Sequence, residues 1–468
     1  MTARRIGFWI GLAGFLLTLI VPPPSGLAPM GWHTAGLVWW MAAWWMTEAL
    51  PLYATAFLPF IVLPILGVAD ANKTAATYYS PIMFLFIGGA FLALSIERTG
   101  LHKRLALAIL NRTGASQWRL LLGVMTATAL LSTLNSNTST ALIMMPMAIA
   151  MLRAGGIEPG DTYGMAGALP MGIAFAATLG GYGTMVGTPT NAIGAALIEN
   201  TLGLHIGFAR WMLFGMPIVI LSVPLAAWII ARVHKLREDR FDPDMARAAI
   251  AGHIEWTKPQ RRLVPMVVLA LALWLSQPLL EPLLPKGALT DGTIAAVIGL
   301  SLFVLPDGTG RPMLQWPEAN RAPWDVVLMF GGGLALAMGM TESGLSGWLG
   351  LKLLPLANVP LPVVALVLVG FVIIVTEFAS NVAAASGIMP VVAALVVALG
   401  GDPVLLALPA AFAASWGFML PAGTGPNAIA WGTGHIALGK VLRAGFMLDV
   451  AGMFLIVGVV WAVAALGG

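Results

Sequence analysis

One short polar phrase occurs twice in this chain within apolar surroundings, and it constrains the fold more than any other feature. The first copy, Leu131-Ser132-Thr133-Leu134-Asn135-Ser136-Asn137-Thr138-Ser139-Thr140, runs on through an apolar stretch to Pro146. The second, Thr376-Glu377-Phe378-Ala379-Ser380-Asn381-Val382, runs on to Pro390. Ser136 and Ser380, Asn137 and Asn381, and Pro146 and Pro390 are each 244 residues apart, so one register relates all three pairs. Upstream, Phe86-Ile87-Gly88-Gly89 and Thr99-Gly100-Leu101 face Phe330-Gly331-Gly332-Gly333 and Ser343-Gly344-Leu345. Downstream, Ala174-Phe175-Ala176-Ala177-Thr178 recurs as Ala411-Phe412-Ala413-Ala414-Ser415, and Gly187-Thr188-Pro189-Thr190-Asn191-Ala192-Ile193 as Gly423-Thr424-Gly425-Pro426-Asn427-Ala428-Ile429. Paired, interrupted apolar segments at matching places in two halves point to a transporter site at a repeat interface.

Composition sets where such a site must lie. With 59% hydrophobic and 9% charged residues over 468, the chain cannot cover a soluble surface and reads as an all-α polytopic membrane protein. The spans expected below place 20 of the 24 Lys and Arg on one side of the membrane, leaving Lys73, Arg210, Lys286 and Lys352 on the other. That asymmetry puts the N-terminus and the basic loops in the cytoplasm. The net charge of +4 therefore reads as topology rather than as a nucleic-acid surface. No cysteine is present, which excludes disulfides and thiol chemistry, and the six histidines are scattered. Glu48, Glu97, Glu342 and Glu377 do not converge in sequence as an acid/base pair, so the chain does not read as an enzyme.

In chain order, Arg4-Arg5 and the apolar run from Ile6 to Pro22-Pro23-Pro24 lack a small-x-small cleavage site and read as a retained first span. Apolar blocks at 32–48 and 51–67 are split by Glu48-Ala49-Leu50-Pro51, where Glu48 reads as an interfacial helix end. A Gly-containing span at 81–97 leads to a basic amphipathic stretch at 99–118 that suits the cytoplasmic interface. The region 119–153 has Arg119 and Arg153 at its two ends, so both ends face the cytoplasm and the segment reads as a re-entrant hairpin with Ser136-Asn137-Thr138 at its tip. The run 162–200 is too long for one straight span and is broken at Gly180-Gly181-Tyr182-Gly183 and Gly187-Thr188-Pro189, as a discontinuous helix would be. Spans follow at 212–231, 263–283 and 291–306, with a short helix near 243–250 in the most basic loop. The second half repeats the plan: a span at 324–342, an interfacial helix at 344–357, a hairpin at 361–398, a broken helix at 403–432 and a last span at 440–466. Five crossings separate the two hairpins, so they enter from opposite faces and the repeats are inverted. The expected division is N-terminal scaffold spans 1–80, a first repeat core 81–211, connecting scaffold spans and loops 212–323, and a second repeat core with the last span 324–468.

The chemistry of the phrase follows from its surroundings. An unpaired amide or hydroxyl in hydrocarbon costs a few kcal/mol, so something at each tip must meet these groups. Asparagine offers a carbonyl to a cation and an amide to an anion. Unwound carbonyls with Ser, Thr and Asn oxygens suit a hard monovalent cation such as sodium, while hydroxyls and free N–H groups at helix N-termini suit an anion. Ser136-Asn137 with Gly187-Thr188 forms one candidate cluster, and Ser380-Asn381 with Gly423-Thr424 its partner. Neither tip segment carries Lys or Arg, so co-bound cations are the natural offset for an anion's charge. The competing reading is that Ser and Asn only cap the hairpin helices.

Together with Trp44-Trp45-Met46-Thr47-Glu48-Ala49-Leu50-Pro51, these paired phrases resemble the divalent anion/sodium symporter family of di- and tricarboxylate and sodium-sulfate carriers, over nearly the whole chain. The resemblance implies a cell (inner) membrane homodimer of protomers with about eleven spans and two re-entrant hairpins, divided into a scaffold and an elevator-like transport part. It implies a first sodium site at Ser132, Ser136, Asn137 and Gly187 and a second at Thr376, Ala379, Asn381 and Gly423. It assigns carboxylate contacts to Ser136, Asn137, Thr138, Thr188, Ser380, Asn381 and Thr424. Two positions depart from the commonest family form: Val382 stands for a Thr, and Gly425 stands where Pro is frequent. The expected function is sodium-coupled import of C4-dicarboxylates of the succinate, malate and fumarate class, with sodium as coupling ion and no cofactor. Alternatives are a sodium-independent exchanger of the same fold, a sulfate or citrate carrier, and an anion channel. Glu377, beside the second tip, is a candidate for proton coupling or for a supporting role.

Overall fold

The computed structural model describes residues 3–112, 116–158, 160–236, 241–248, 255–421 and 423–467. The described residues form helices, short helical turns and loops, with one isolated bridge, Pro306 to Pro312, and no sheet. Nine of the helical segments are long and apolar enough to cross a membrane, and shorter apolar helices occur at Leu52–Ile65, Asp291–Val304 and Pro403–Ala413. The nine include both arms of the second hairpin but neither arm of the first.

Five elements recur in the same order in the two halves. Helices Pro81–Thr99 and Asp325–Glu342 come first, then the short helices Leu101–Leu110 and Leu345–Leu353. The hairpins Gln117–Ser132 with Asn137–Ala154 and Leu361–Phe378 with Asn381–Leu399 follow. Next come the broken pairs Met165–Gly180 with Pro189–Leu202 and Pro403–Ala413 with Gly425–Gly432, and last the long helices Phe208–His234 and Leu438–Ala465. Most expected boundaries hold to within a few residues; the amphipathic stretch expected at 99–118 is helical at Leu101–Leu110, and its residues 113–115 lie outside the described residues. The helix expected near 243–250 is Pro243–Ala248, and residues 249–250 lie outside the described residues.

The block at 51–67 is two short helices, Leu52–Thr55 and Leu58–Ile65, because Pro51, Pro59 and Pro64 each remove an amide donor and resist a continuous helix. These pieces pack against Asp325–Glu342, and Asp291–Val304 packs against Pro81–Thr99, so each Gly-rich helix leans on a short apolar element. The glycines are there for contact: a Cβ at Gly88 would sit 2.3 Å from Ala295 O, and one at Gly332 2.6 Å from the Ala56 Cβ.

Helix Ala3–Ile20 packs along Pro29–Thr47, whose five tryptophans give it too little hydropathy to rank among the nine. Three of their indole N–H groups donate to backbone carbonyls, Trp39 to Ile10 at 3.1 Å, Trp44 to Phe8 at 3.1 Å and Trp45 to Leu52 at 3.0 Å, which lets these polar rings lie between helices. Glu48 ends that helix in the left-handed region, φ 47°, and pairs with Arg4 at 3.2 Å in an exposed position.

The Pro-rich loop after Val304 is clamped to the first half by charge. Arg98 reaches Asp307 at 3.0 Å and Arg321 reaches Glu97 at 2.7 Å. Burial pushes the Asp307 carboxyl up, but the Thr309 hydroxyl and amide and the Arg98 guanidinium together outweigh it and hold the group below the usual carboxylate range. A depressed carboxylate stabilises the fold above its unfolded-state pKa, and that stability is lost as pH falls through its lower folded value. We expect Asp307→Ala to cost about 2 kcal/mol, the scale for removing one partner of a buried charged hydrogen bond. Thermal unfolding in detergent at neutral pH should show the loss, and the variant and parent should converge at acid pH.

Candidate functional site

Each hairpin tip presses one hydroxyl against an asparagine and a foreign carbonyl. Ser132, the last residue of its helix, lies 2.9 Å from Asn137 Oδ1 and 2.6 Å from Ala177 O on the first broken helix. In the second half, Thr376 lies 2.9 Å from Asn381 Oδ1 and 2.7 Å from Ala414 O. Asn381 turns its Nδ2 toward Ser415 O at 3.5 Å, which leaves Oδ1 on the threonine side. Both hydroxyls are fully buried. In each triad three oxygens share the single hydrogen of one hydroxyl, so lone pairs outnumber donors and a cation has a natural place beside them.

The unwound stretches complete these two centres. Between Gly180 and Pro189 the chain makes a 3-10 turn at Gly181–Gly183 and then a single turn, Gly187 N donating to Thr184 O at 3.3 Å, before Thr188. Asn191, on the next helix, donates back to Gly181 O at 2.7 Å and Thr184 O at 2.8 Å, and the Thr184 hydroxyl donates to Thr133 O across on the hairpin. Gly181 is required by closeness, since a Cβ there would lie 2.4 Å from Asn137 Oδ1. Gly187 folds back onto Gly181 in turn. In the second half Asn427 donates to Leu420 O at 3.2 Å, and Glu377 accepts from the amides of Phe418, Met419 and Leu420. Gly423 lies beside Leu420 O and Glu377 O, and Ala379 is buried in extended backbone at the end of its helix.

The two halves interlock at this level. The second arm of each broken helix packs on the other half's hairpin, Pro189–Leu202 on Asn381–Leu399 and Gly425–Gly432 on Asn137–Ala154. A Cβ on Gly425 would fall 2.3 Å from Thr138 Oγ1, which gives a steric reason for glycine at this departure from the family form. Val382, the other departure, is half-buried and packs among apolar neighbours. Helix Asn137–Ala154, helix Asn381–Leu399 and both second arms thus begin at the site, each opened by one of the expected hydroxyl residues: Ser136, Ser380, Thr188 and Thr424. Ser136 accepts from Ser139 N, Ser380 from Ala383 N and Thr424 from Asn427 N. Capping is therefore part of what these side chains do, while their hydroxyl hydrogens stay available to an anion.

Sequence reading nominated the tips but not their supports. Ala177 O, Ala414 O, Gly181, Asn191 and Asn427 carry much of the geometry. The repeated Pro-Asn-Ala-Ile segments held the signal for the two asparagines, whereas a backbone carbonyl has no signature in residue type.

The paired hairpins and broken helices belong to an all-α polytopic membrane protein built from two packed repeats. Residues 3–466 match the family model described as the sodium:sulfate symporter transmembrane region, and the chain belongs to that family, which makes it a transporter and not an enzyme. It is 38% identical over 472 residues to the sodium-dependent dicarboxylate transporter SdcS of Staphylococcus saprophyticus, covering 98% of this chain and 91% of that one. It is 37% identical over 477 residues to the protein of the same name from Staphylococcus aureus strain MRSA252, with the same coverage. Among solved structures, the YdaH transporter of Alcanivorax borkumensis superposes with a TM-score of 0.54 at 15% identity, covering 100% of this chain and 99% of that one. Neisseria gonorrhoeae MtrF does so at 0.54 and 13%, covering 98% and 94%. At these identities the two share the fold alone.

The contact at Gly425 can be tested directly. Gly425→Ala should lower transport about tenfold, as an overpacked methyl costing about 1–3 kcal/mol would. Adding Thr138→Ala should remove the clash, so the double variant should fold and expose less sensitivity to the methyl, measured as thermal stability in detergent.

Proposed function

We propose that this chain imports C4-dicarboxylates of the succinate, malate and fumarate class together with sodium, by an elevator-type alternating-access movement. The observation that carries this reading is the pair of oxygen triads, each with more lone pairs than hydrogens, set beside helix N-termini that offer N–H groups. Sodium belongs at the triads, with Ser132, Ser136, Asn137 and Gly187 at one and Thr376, Ala379, Asn381 and Gly423 at the other. The carboxylates belong at Ser136, Asn137, Thr138, Thr188, Ser380, Asn381 and Thr424, so that Asn137 and Asn381 touch both kinds of ligand. The relatives named for sodium-dependent dicarboxylate transport support the choice of anion, since the match extends over nearly the whole of both chains.

In this reading the protein is a homodimer in the cell (inner) membrane, with the N-terminus in the cytoplasm. Each protomer has about eleven spans and two re-entrant hairpins in inverted repeats. Segments 81–211 and 324–468 supply the moving part and segments 1–80 and 212–323 the scaffold. The absence of Lys and Arg from both tip segments makes the cations the source of positive charge at the bound dianion. Two sodium ions per dianion move no net charge. Each further one would add about 2.3 kcal/mol of driving force per 100 mV.

Uptake of radiolabelled succinate into proteoliposomes tests the reading, with an inward sodium gradient compared with a matched potassium gradient. Sodium-dependent uptake is expected, with malate and fumarate competing better than sulfate or citrate. Uptake that ignores sodium but needs unlabelled dicarboxylate in the lumen would make the protein an exchanger. Asn137→Ala and Asn381→Ala should each raise the sodium concentration for half-maximal uptake about tenfold, the scale of losing one charged contact of about 1.5 kcal/mol. Unaltered sodium dependence in both would defeat the ligand assignment.

A further inference from the structure

Away from both hairpin tips, a cavity opens where the start of helix Lys258–Leu280 meets the end of helix Asp291–Val304, two elements that pack against each other. It holds about 350 Å³. Arg261 and Arg262 stand among its lining residues, and Pro265, Met266, Leu302 and Leu305 supply apolar walls. No part of the proposed transport site uses it.

The sequence gathers cations there for a physical reason. Lys258, Arg261 and Arg262 open a helix that is otherwise apolar enough to cross the membrane, so they lie at a membrane surface. At that depth basic side chains lay their stems on apolar surface and hold their heads among the headgroups. All three are exposed. Arg262 is held in place, its Nη1 donating to Pro306 O at 2.8 Å, and a Cβ on Gly308 would lie 3.3 Å from its Nε. That contact uses one edge of the guanidinium and leaves the rest of the fork open. Among the described residues, neither Lys258 nor Arg261 has an ion-pair partner.

The acids of the neighbouring loop are already engaged, Asp307 with Arg98, Glu318 with Arg311 and Glu97 with Arg321. Glu255, three residues before Lys258, is the remaining acid at the helix start, so the mouth of the cavity keeps a positive excess. The helix end itself is closed to ligands: Thr257 and Gln260 cap each other's amides at 3.3 Å, and Pro259 has no N–H. Next to the cavity the surface turns apolar. Val268 and Leu269, one turn beyond Pro265, and Leu300 and Val304 on the packed helix are exposed, as side chains against hydrocarbon are.

We propose that this cavity binds one net-anionic phospholipid, its phosphate on Arg261 and Arg262 and part of an acyl chain against Met266, Leu302 and Leu305. The planar fork of arginine matches phosphate oxygens, and basic pockets between membrane helices attract anionic headgroups. Lys258 adds a further positive charge, which favours a net-anionic headgroup over a zwitterion whose ammonium it repels. The lipid belongs to the leaflet on the side of the basic loops, the cytoplasmic one in the orientation given above, and its binding depends on neither that orientation nor the transported anion. Bound there, it joins the start of helix Lys258–Leu280 to the loop after Val304, because Arg262 already holds Pro306 of that loop.

Native mass spectrometry of the purified full-length protein in detergent tests this, with phosphatidylglycerol and phosphatidylcholine of the same acyl chains as probes. Phosphatidylglycerol should half-saturate the first lipid adduct at about tenfold lower concentration than phosphatidylcholine. Arg261→Gln removes an exposed side chain that makes no ion pair, so it should fold with an unchanged unfolding midpoint and bring the two lipids within about twofold of each other. Arg112→Gln, in the amphipathic segment elsewhere on the basic surface, should keep the tenfold preference. Equal loss in the two variants would overturn the proposal by making the effect one of general surface charge, and a preference that survives Arg261→Gln would overturn it too. Inorganic phosphate in large excess should fail to displace phosphatidylglycerol, since it brings no acyl chain. Displacement would overturn the lipid assignment in favour of a free anion. A shift from dimer to monomer in Arg261→Gln with lipid preference unchanged would also overturn it, by giving the cavity to a second copy of this chain.

Discussion

The structure depends on one contact made twice: a hydroxyl at the end of a hairpin's first arm, an asparagine at the start of its second, and a carbonyl freed where the facing helix breaks. Ser132, Asn137 and Ala177 make it in the first half and Thr376, Asn381 and Ala414 in the second. In an apolar interior a broken helix exposes backbone groups that water cannot reach, and they must be met by side chains from elsewhere. The hairpin tips meet them, which is why the polar phrase and the helix break occur in the same half and in the same order. The break and the tip are two parts of one solution.

The two halves also need each other. The second arm of each broken helix rests on the opposite hairpin, and Thr138 of the first tip lies against Gly425 of the second break. The two repeats therefore meet along a seam at the level of the hairpin tips and helix breaks. Small residues permit this closeness: Gly181 admits the Asn137 amide, Gly425 admits Thr138, and Gly88 and Gly332 let the flanking helices pack on short apolar elements. Charges are kept to the periphery, where Arg98, Asp307, Arg321 and Glu97 tie the loop after Val304 to the first half. Glu377 and Asp449 are buried within the second half.

The asymmetry between the halves is itself informative. The first break is held by Asn191, which donates to two carbonyls, and by Thr184 on the hairpin backbone. The second is held by Asn427 on one carbonyl and by a carboxylate that collects three amides. A carboxylate can gather several donors at once where an amide side chain offers two, so the longer unwound stretch of the second half has the stronger acceptor.

Much of the molecule was legible in the order of residues. The repeat, the membrane setting, the hairpins with Ser136-Asn137 and Ser380-Asn381 at their turns, and the two helix breaks all follow from apolar runs interrupted by polar or glycine residues at matching positions. Those are local properties, and local sequence is enough to state them. The division of the apolar block at 51–67 into two short helices was less legible, because hydropathy does not register the amide donors that three prolines remove. Which carbonyl meets Ser132, why Gly425 is glycine, and which amides Glu377 collects were decided only by the fold. Each depends on groups brought together from distant parts of the chain, and a backbone oxygen or an empty space the size of a methyl group leaves no mark on residue type.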